Sequence, residues 1–350
     1  TVEDTSTVVG IGVQITYAET GIHIAQVVNG SPAEAAGLAA GDTIVAVDGT
    51  SCVPASEAVG ELVRGEAGTS VKLTVEHADG SRADYTLTRA EVVVTNTNIS
   101  VLEGKIGLIN CDSFGSDTAD LIRAGIEAHE DEVGVWWVDL RDNLGGMAST
   151  AVEAIGMFAG GGIHLYYRDA ADDYYVTFTN EDYITQHPVI VLTNSRSASA
   201  AELFAADVRD SLAGISVGGR TFGKGVAQIV LNGENTQDYF TDDAMKVTGY
   251  RFYSSSTNTT DKIGVIPTVL VAEGDAEAVA RLLSGQKPED SEGWLKASLC
   301  IWEWYVDLSG DPAALDALLE ALPPDAVLYA GTGGEEWSQV PVNVAVSLYG

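Results

Sequence analysis

Positive charge is what this chain has least of: 18 lysines and arginines stand against 51 aspartates and glutamates in 350 residues, a formal net charge of −33. That balance excludes nucleic acid as an expected partner, because phosphate contacts need cationic surface. Cysteine is nearly absent too. Cys52, Cys111 and Cys300 lie far apart, show no metal-ligand spacing and cannot all pair. The five histidines, His23, His77, His129, His164 and His187, are scattered, so neither a metal nor a cofactor is expected. No apolar run approaches the ~18 residues of a membrane helix. No basic and apolar leader opens at Thr1, so the chain as it stands reads as soluble, with a leader or anchor left open. What it does have is apolar content, 45% of residues, enough for two or three domain cores.

The chemistry concentrates in three segments. Pro188-Val189-Ile190-Val191-Leu192-Thr193 is short, apolar and β-branched, which predicts a buried strand of a parallel sheet. Residues 199–210 follow at near-helical spacing, and Ser199 with Glu202 fits a capping box. Ser199 therefore stands where a helix starts, beside unpaired N–H groups, and the Ala200 amide is placed to stabilise an oxyanion. A plain N-cap is the alternative reading of the same serine.

The second segment, Thr221-Phe222-Gly223-Lys224-Gly225, brackets one cation with two glycines after the apolar run Ile215–Gly219. A lysine serves as the base for a serine nucleophile only when its site holds it neutral. At the ordinary value of ~10.4 about one molecule in 2,500 is neutral at pH 7, so the site must supply roughly 3–5 kcal/mol, normally by desolvation. A turn cation with its stem on apolar surface is the alternative here. The third segment, Val135-Trp136-Trp137-Val138-Asp139-Leu140-Arg141-Asp142-Asn143-Leu144-Gly145-Gly146, predicts a buried strand, a polar turn and a glycine pair, then a helix over 147–158. Gly145 or Gly146 is placed to offer a second oxyanion N–H, and Asp139 and Arg141 are expected to pair and hold the turn.

Together these segments resemble the carboxyl-terminal processing peptidases, or tail-specific proteases, a Ser/Lys serine protease family. DLRDNLGG is similar to the family's DLRxNPGG, NSRSASAAE to NxxSASASE, TFGKGVAQ to TFGKGxxQ, and Gly264-Val265-Ile266-Pro267 to its closing GIxPD. The resemblance implies Ser199 as nucleophile, Lys224 as general base, Gln228 as the residue orienting the lysine, and Gly145 or Gly146 with Ala200 as oxyanion donors. Leu144 replaces the family's proline and Thr268 its aspartate; neither touches the dyad.

Residues 8–90 extend the likeness. Gly10-Ile11-Gly12-Val13, Ser31-Pro32-Ala33-Glu34-Ala35-Ala36-Gly37-Leu38 and Gly41-Asp42-Thr43-Ile44-Val45-Ala46-Val47-Asp48-Gly49 resemble the PDZ domain such proteases carry. Such a groove takes a peptide C-terminus by strand addition, with loop amides on its carboxylate, which implies Gly10, Ile11, Gly12 and Val13 as substrate-binding residues. A dinucleotide motif fails here, since Ile15 occupies the third glycine position. Residues 71–75 and 85–88 alternate as an antiparallel pair around the turn at 78–81.

The expected architecture is α/β: an N-terminal segment at 1–7, a PDZ domain at 8–92, a protease core at 93–275 and an α/β appendage at 276–350. The resemblance implies a crotonase-like spiral of β-β-α units for the core. Strand 106–110 and helix 117–129 supply the alternation of a mainly parallel sheet. In the appendage, strands are expected around Trp302–Val306, 326–329 and 340–348, with a helix over 312–322 closed by Pro323-Pro324. The implied activity is an extracytoplasmic endopeptidase, in a bacterial envelope or secreted, acting on proteins with apolar C-terminal tails. A peptide-binding protein on the same scaffold is the alternative, and a homodimer stays open alongside a monomer.

Overall fold

The structure is a computed structural model that describes residues 5–28, 30–39, 41–77, 80–231 and 245–341. The chain divides into two compact units, Thr1–Asn98 and Ile99–Gly350.

The first unit is built on an antiparallel sheet ordered Val13–Ala18, Gly21–Val27, Thr43–Val47, Ser70–Glu76, Arg82–Thr88. Its inner face is set by alternation. Val71, Leu73 and Val75 point inward from one strand and meet Ile22, Ile24, Ile44 and Leu87 in a single core. The expected pair is found with Val71 opposite Leu87 and Val75 opposite Ala83; residues 78 and 79 of its turn lie outside the described residues. Ser31 caps the short helix Pro32–Ala35 through the Glu34 N–H at 3.2 Å.

The second unit centres on a six-stranded sheet ordered Val269–Leu270, Gly214–Gly218, Val189–Thr193, Val135–Asp139, Ile106–Cys111, Thr97–Leu102. The pairings from Val269–Leu270 through Ile106–Cys111 are parallel. Both faces are covered, so the strands are apolar throughout rather than alternating. Trp136 and Val191 face helices Thr118–His129, Ala148–Ala159 and Ala200–Asp210, while Trp137, Leu192 and Val217 face helix Ala276–Leu283.

A second sheet of this unit, all antiparallel, runs Tyr174–Thr179, Gly162–Asp169, Met245–Tyr253, Val226–Leu231. A third runs Trp302–Asp307, Trp294–Leu299, Val327–Gly333, Glu336–Val340, with helix Pro312–Ala321. The apolar side chains of that third sheet, among them Leu295, Trp304 and Val306, share one core with the outer face of the parallel sheet. The C-terminal module is thus packed onto the core, and Trp304 is buried in it rather than displayed. Of the strand expected at 340–348, residues 342–348 lie outside the described residues.

Candidate active site

Three turns at the carboxyl ends of neighbouring parallel strands build the site. After Thr193 the chain turns on Asn194, whose Oδ1 accepts the N–H groups of Arg196 (3.0 Å), Ser197 (3.2 Å) and, across the turn, Asp142 (3.0 Å). Ser197 Oγ donates to the Leu140 carbonyl at 2.7 Å, and the Ala198 N–H donates to the Asn143 carbonyl at 2.9 Å. These bonds seat the Ser199 turn on the Asp139–Gly146 turn.

Ser199 then takes φ +59° and ψ −116°. A side chain in that region costs on the order of 1–3 kcal/mol and persists only where surrounding bonds impose it. Here the imposing group is Glu202, fully buried, which reaches back to the Ser199 N–H at 2.9 Å. Ser199 and Glu202 are placed as in a capping box, but Ser199 Oγ makes no aligned bond to the first-turn amides. The geometry is that of a sharp strand-to-helix elbow with Ser199 half-buried at its corner.

The same carboxylate takes three more donors: Thr221 Oγ1 and the Gly223 N–H, each at 2.6 Å, and the Lys224 N–H at 2.7 Å. The Lys224 turn is thus strapped to the start of the Ser199 helix. Gly223 has φ +98°, and a Cβ on Gly225 would fall 2.2 Å from the Asp261 nitrogen, so both flanking glycines are required by backbone geometry. Gln228 lies on the strand Val226–Leu231 opposite Thr248, exposed, just past a bulge.

On the facing turn, Asp139 and Arg141 pair as expected, with Arg141 Nε 2.9 Å and 3.0 Å from the two carboxylate oxygens. Hydrogen bonding to Asp139 raises the guanidinium pKa against the pull of burial. Asn143 is buried; its Nδ2 donates to the Cys111 carbonyl and its Oδ1 accepts the Gly145 N–H, both at 2.7 Å. The Gly145 amide is therefore engaged, and what this residue brings is room: a Cβ there would lie 2.7 Å from Ser199 Cβ and 3.0 Å from the Ala200 nitrogen. Of the two glycines, Gly146 is the one with an N–H lacking a partner among the described residues. Leu144, at the family's proline position, is 64% exposed and packs into nothing that a proline would spare. Thr268 joins strand ends instead, exchanging two hydrogen bonds with Ser216.

In the first unit, the Gly10–Val13 loop turns its carbonyls inward, Ile11 O to the Ala33 N–H and Gly12 O to the Val28 N–H, both at 2.9 Å. The Ile11 and Gly12 N–H groups have no partner among the described residues, and strand Val13–Ala18, which follows, is an edge. That arrangement suits a carboxylate on the loop and a peptide strand beside it.

The chain carries a match to the family model of peptidase family S41 over residues 105–271 and a match to a PDZ domain over residues 23–77. The carboxy-terminal processing protease CtpA of Bacillus subtilis is 30% identical over 266 residues, which cover 74% of this chain and 55% of that protein. The chloroplastic C-terminal processing peptidase of Tetradesmus obliquus is 31% identical over 304 residues, covering 79% and 64%. The chain therefore spans less than two thirds of the length of those relatives. A putative S41 protease from Bacteroides fragilis shares the fold, with TM-score 0.54 at 18% identity over 79% of this chain and 80% of that one.

Two contributors to the candidate site were not expected from sequence. Asn143 read as one polar residue of a turn, and Glu202 as half of a helix cap. The available signal was the pairing of Glu202 with a nearby glycine-flanked turn whose N–H groups need acceptors.

Proposed function

We propose that this chain is a serine endopeptidase that engages the C-terminal tails of proteins. Ser199 Oγ attacks the scissile carbonyl carbon while Lys224 Nζ, as general base, takes the hydroxyl proton, with Gln228 orienting the amine. The N–H groups of Ala200 and Gly146 receive the oxyanion, in the setting that Gly145 keeps open. Collapse breaks the C–N bond, Lys224 returns the proton to the leaving amine, and an ester on Ser199 remains. Water, deprotonated by Lys224, then cleaves the ester and regenerates Ser199. The Gly10–Val13 loop holds the tail carboxylate. The observation that carries this reading is Ser199 held at φ +59° by the carboxylate that also holds the Lys224 backbone.

The β-strand and helix alternation along 106–218 supports a crotonase-like core, with the PDZ, core and appendage divided at 8–92, 93–275 and 276–350. An extracytoplasmic place, envelope or secreted, rests on the family reading alone, and cell fractionation tests it. For the activity, a disordered protein with an apolar C-terminus is incubated with the chain from pH 6 to 10 and its fragments are read by mass spectrometry. Ser199→Ala and Lys224→Ala should each cost about 10⁴-fold or more. Tail binding without cleavage by the parent chain would instead establish a binding protein.

A further inference from the structure

A buried histidine–aspartate pair lies outside the residues assigned so far. His164, 5% exposed, sits on strand Gly162–Asp169 with Nδ1 2.6 Å from Asp207 Oδ2 and Nε2 2.9 Å from the Gly160 carbonyl. Both ring nitrogens face acceptors, an arrangement that favours the doubly protonated ring. Burial pulls its pKa down, but the bonds to Asp207 and Gly160 and the Asp207 charge outweigh that and raise it. Asp207 is fully buried, and its Oδ1 accepts the Ser255 N–H at 2.6 Å.

Buried pairs of this kind are poor stabilisers, since apolar groups of the same volume do as well or better. What this pair joins is specific. Gly160 closes the helix that opens just after Gly146, Asp207 belongs to the helix that Ser199 opens, and Ser255 starts the segment that buttresses Lys224. Along that segment the Lys262 N–H donates to the Gly223 carbonyl at 2.8 Å, and Gly225 lies directly against the Asp261 backbone. The Phe252 N–H, three residues before Ser255, donates to the Gly225 carbonyl at 3.0 Å.

We propose that His164 and Asp207 are positioning residues for the Lys224 turn, acting through Ser255 and the 255–262 segment. This rests on the reading of Lys224 as the base. The pair anchors the segment at Ser255 to the Ser199 helix, and the segment grips both glycines around Lys224.

The test is the double variant His164→Phe/Asp207→Leu, in which apolar side chains refill the site and the Ser255 N–H loses its acceptor. We expect kcat to fall about 10–100-fold at unchanged KM, as for a misplaced catalytic group. The ascending limb of the kcat against pH profile should move with it. Amide hydrogen exchange at Gly223, Lys224, Ser255 and Lys262 should speed by about tenfold or more while Val138 and Val191 keep their protection. Asp207→Asn, whose amide oxygen still accepts from Ser255, should recover most of kcat. Unchanged kcat with unchanged exchange overturns the proposal, and so does exchange that rises equally at Val138 and Val191. If the parent chain does not cut, exchange at the four amides still decides the coupling, and only the reading of Lys224 falls.

Discussion

The backbone amides of Ser199 and Lys224 donate to one atom, Oε2 of Glu202, at 2.9 and 2.7 Å. The backbones of the proposed nucleophile and base are thereby placed by a single side chain. Its other oxygen is filled by Thr221 and Gly223, so four donors converge on one carboxylate.

Glutamine at position 202 offers one acceptor oxygen and brings an NH₂ against donors. Glu202→Gln should therefore leave about two N–H or O–H groups unsatisfied and destabilise the unit by about 2–4 kcal/mol. Denaturant unfolding reads that loss, and steady-state cleavage should show kcat falling with it. A variant of parental stability and kcat would show that the strap does not position the dyad.

Gly145→Ala introduces a Cβ 2.7 Å from Ser199 Cβ and 2.8 Å from the Ala198 carbonyl, at a residue with φ +104°. The Ser199 elbow must shift, carrying the Ala200 amide off the oxyanion. The expected loss is about 10²–10³ in kcat, the scale of removing one oxyanion donor. Peptide binding by the PDZ unit, measured in the same variant, should stay at the parental value.

Gly12 has φ +78°, and a Cβ there would sit 2.2 Å from Ser31 Cβ. Gly12→Ala should distort the loop proposed to bind the tail carboxylate and weaken binding of an apolar tail peptide at least about tenfold, or about 1.4 kcal/mol. Amidating the peptide C-terminus should weaken the parent by a similar factor. Equal affinity for acid and amide would remove the loop from tail recognition.

Two buried groups bound the pH range of stability. His164 has its pKa raised, so its contribution is complete below the ordinary histidine value of ~6.5 and is lost as pH climbs through the folded value. Asp210 is pushed up by burial, yet hydrogen bonds from Ser256 and Ser254 and the Arg209 charge bring it below the ordinary value. Its contribution is present above ~3.9 and is lost as pH falls through the folded value. Thermal melting across pH should decline on both sides, with Asp210→Asn flattening the acid side and His164→Phe the alkaline side. A parental acid limb in Asp210→Asn would assign acid unfolding to other carboxylates.

The elements that sequence patterning located are those whose burial follows a simple rule. Strand 189–193 is buried at every residue, as an apolar run rich in β-branched residues and covered on both faces must be, and helix 200–210 shows its apolar stripe. The hairpin Gly162–Asp169 with Tyr174–Thr179 was not expected. Its second strand exposes Tyr174, Tyr175, Val176 and Phe178, so no alternation between apolar and polar residues marks a buried face. Strand Trp294–Leu299 alternates clearly, but between half-buried and buried positions, and half-burial of Trp294 and Lys296 leaves little polarity contrast to read.

By itself, the sequence located the serine, lysine and glycine pairs of the candidate site, because each sits in a short contiguous motif with a local backbone requirement. Only the tertiary structure decided how they are held. That Gly145 spends its N–H on Asn143, that Glu202 serves both Ser199 and Lys224, and that the C-terminal sheet shares a core with Val217 and Leu192 are all pairings between segments distant in the chain. A carboxylate with spare acceptor sites and an apolar face with no partner state what they need, not which segment will supply it. Packing settles that choice, because each buried donor and apolar face has to be matched at once in a single close-packed arrangement.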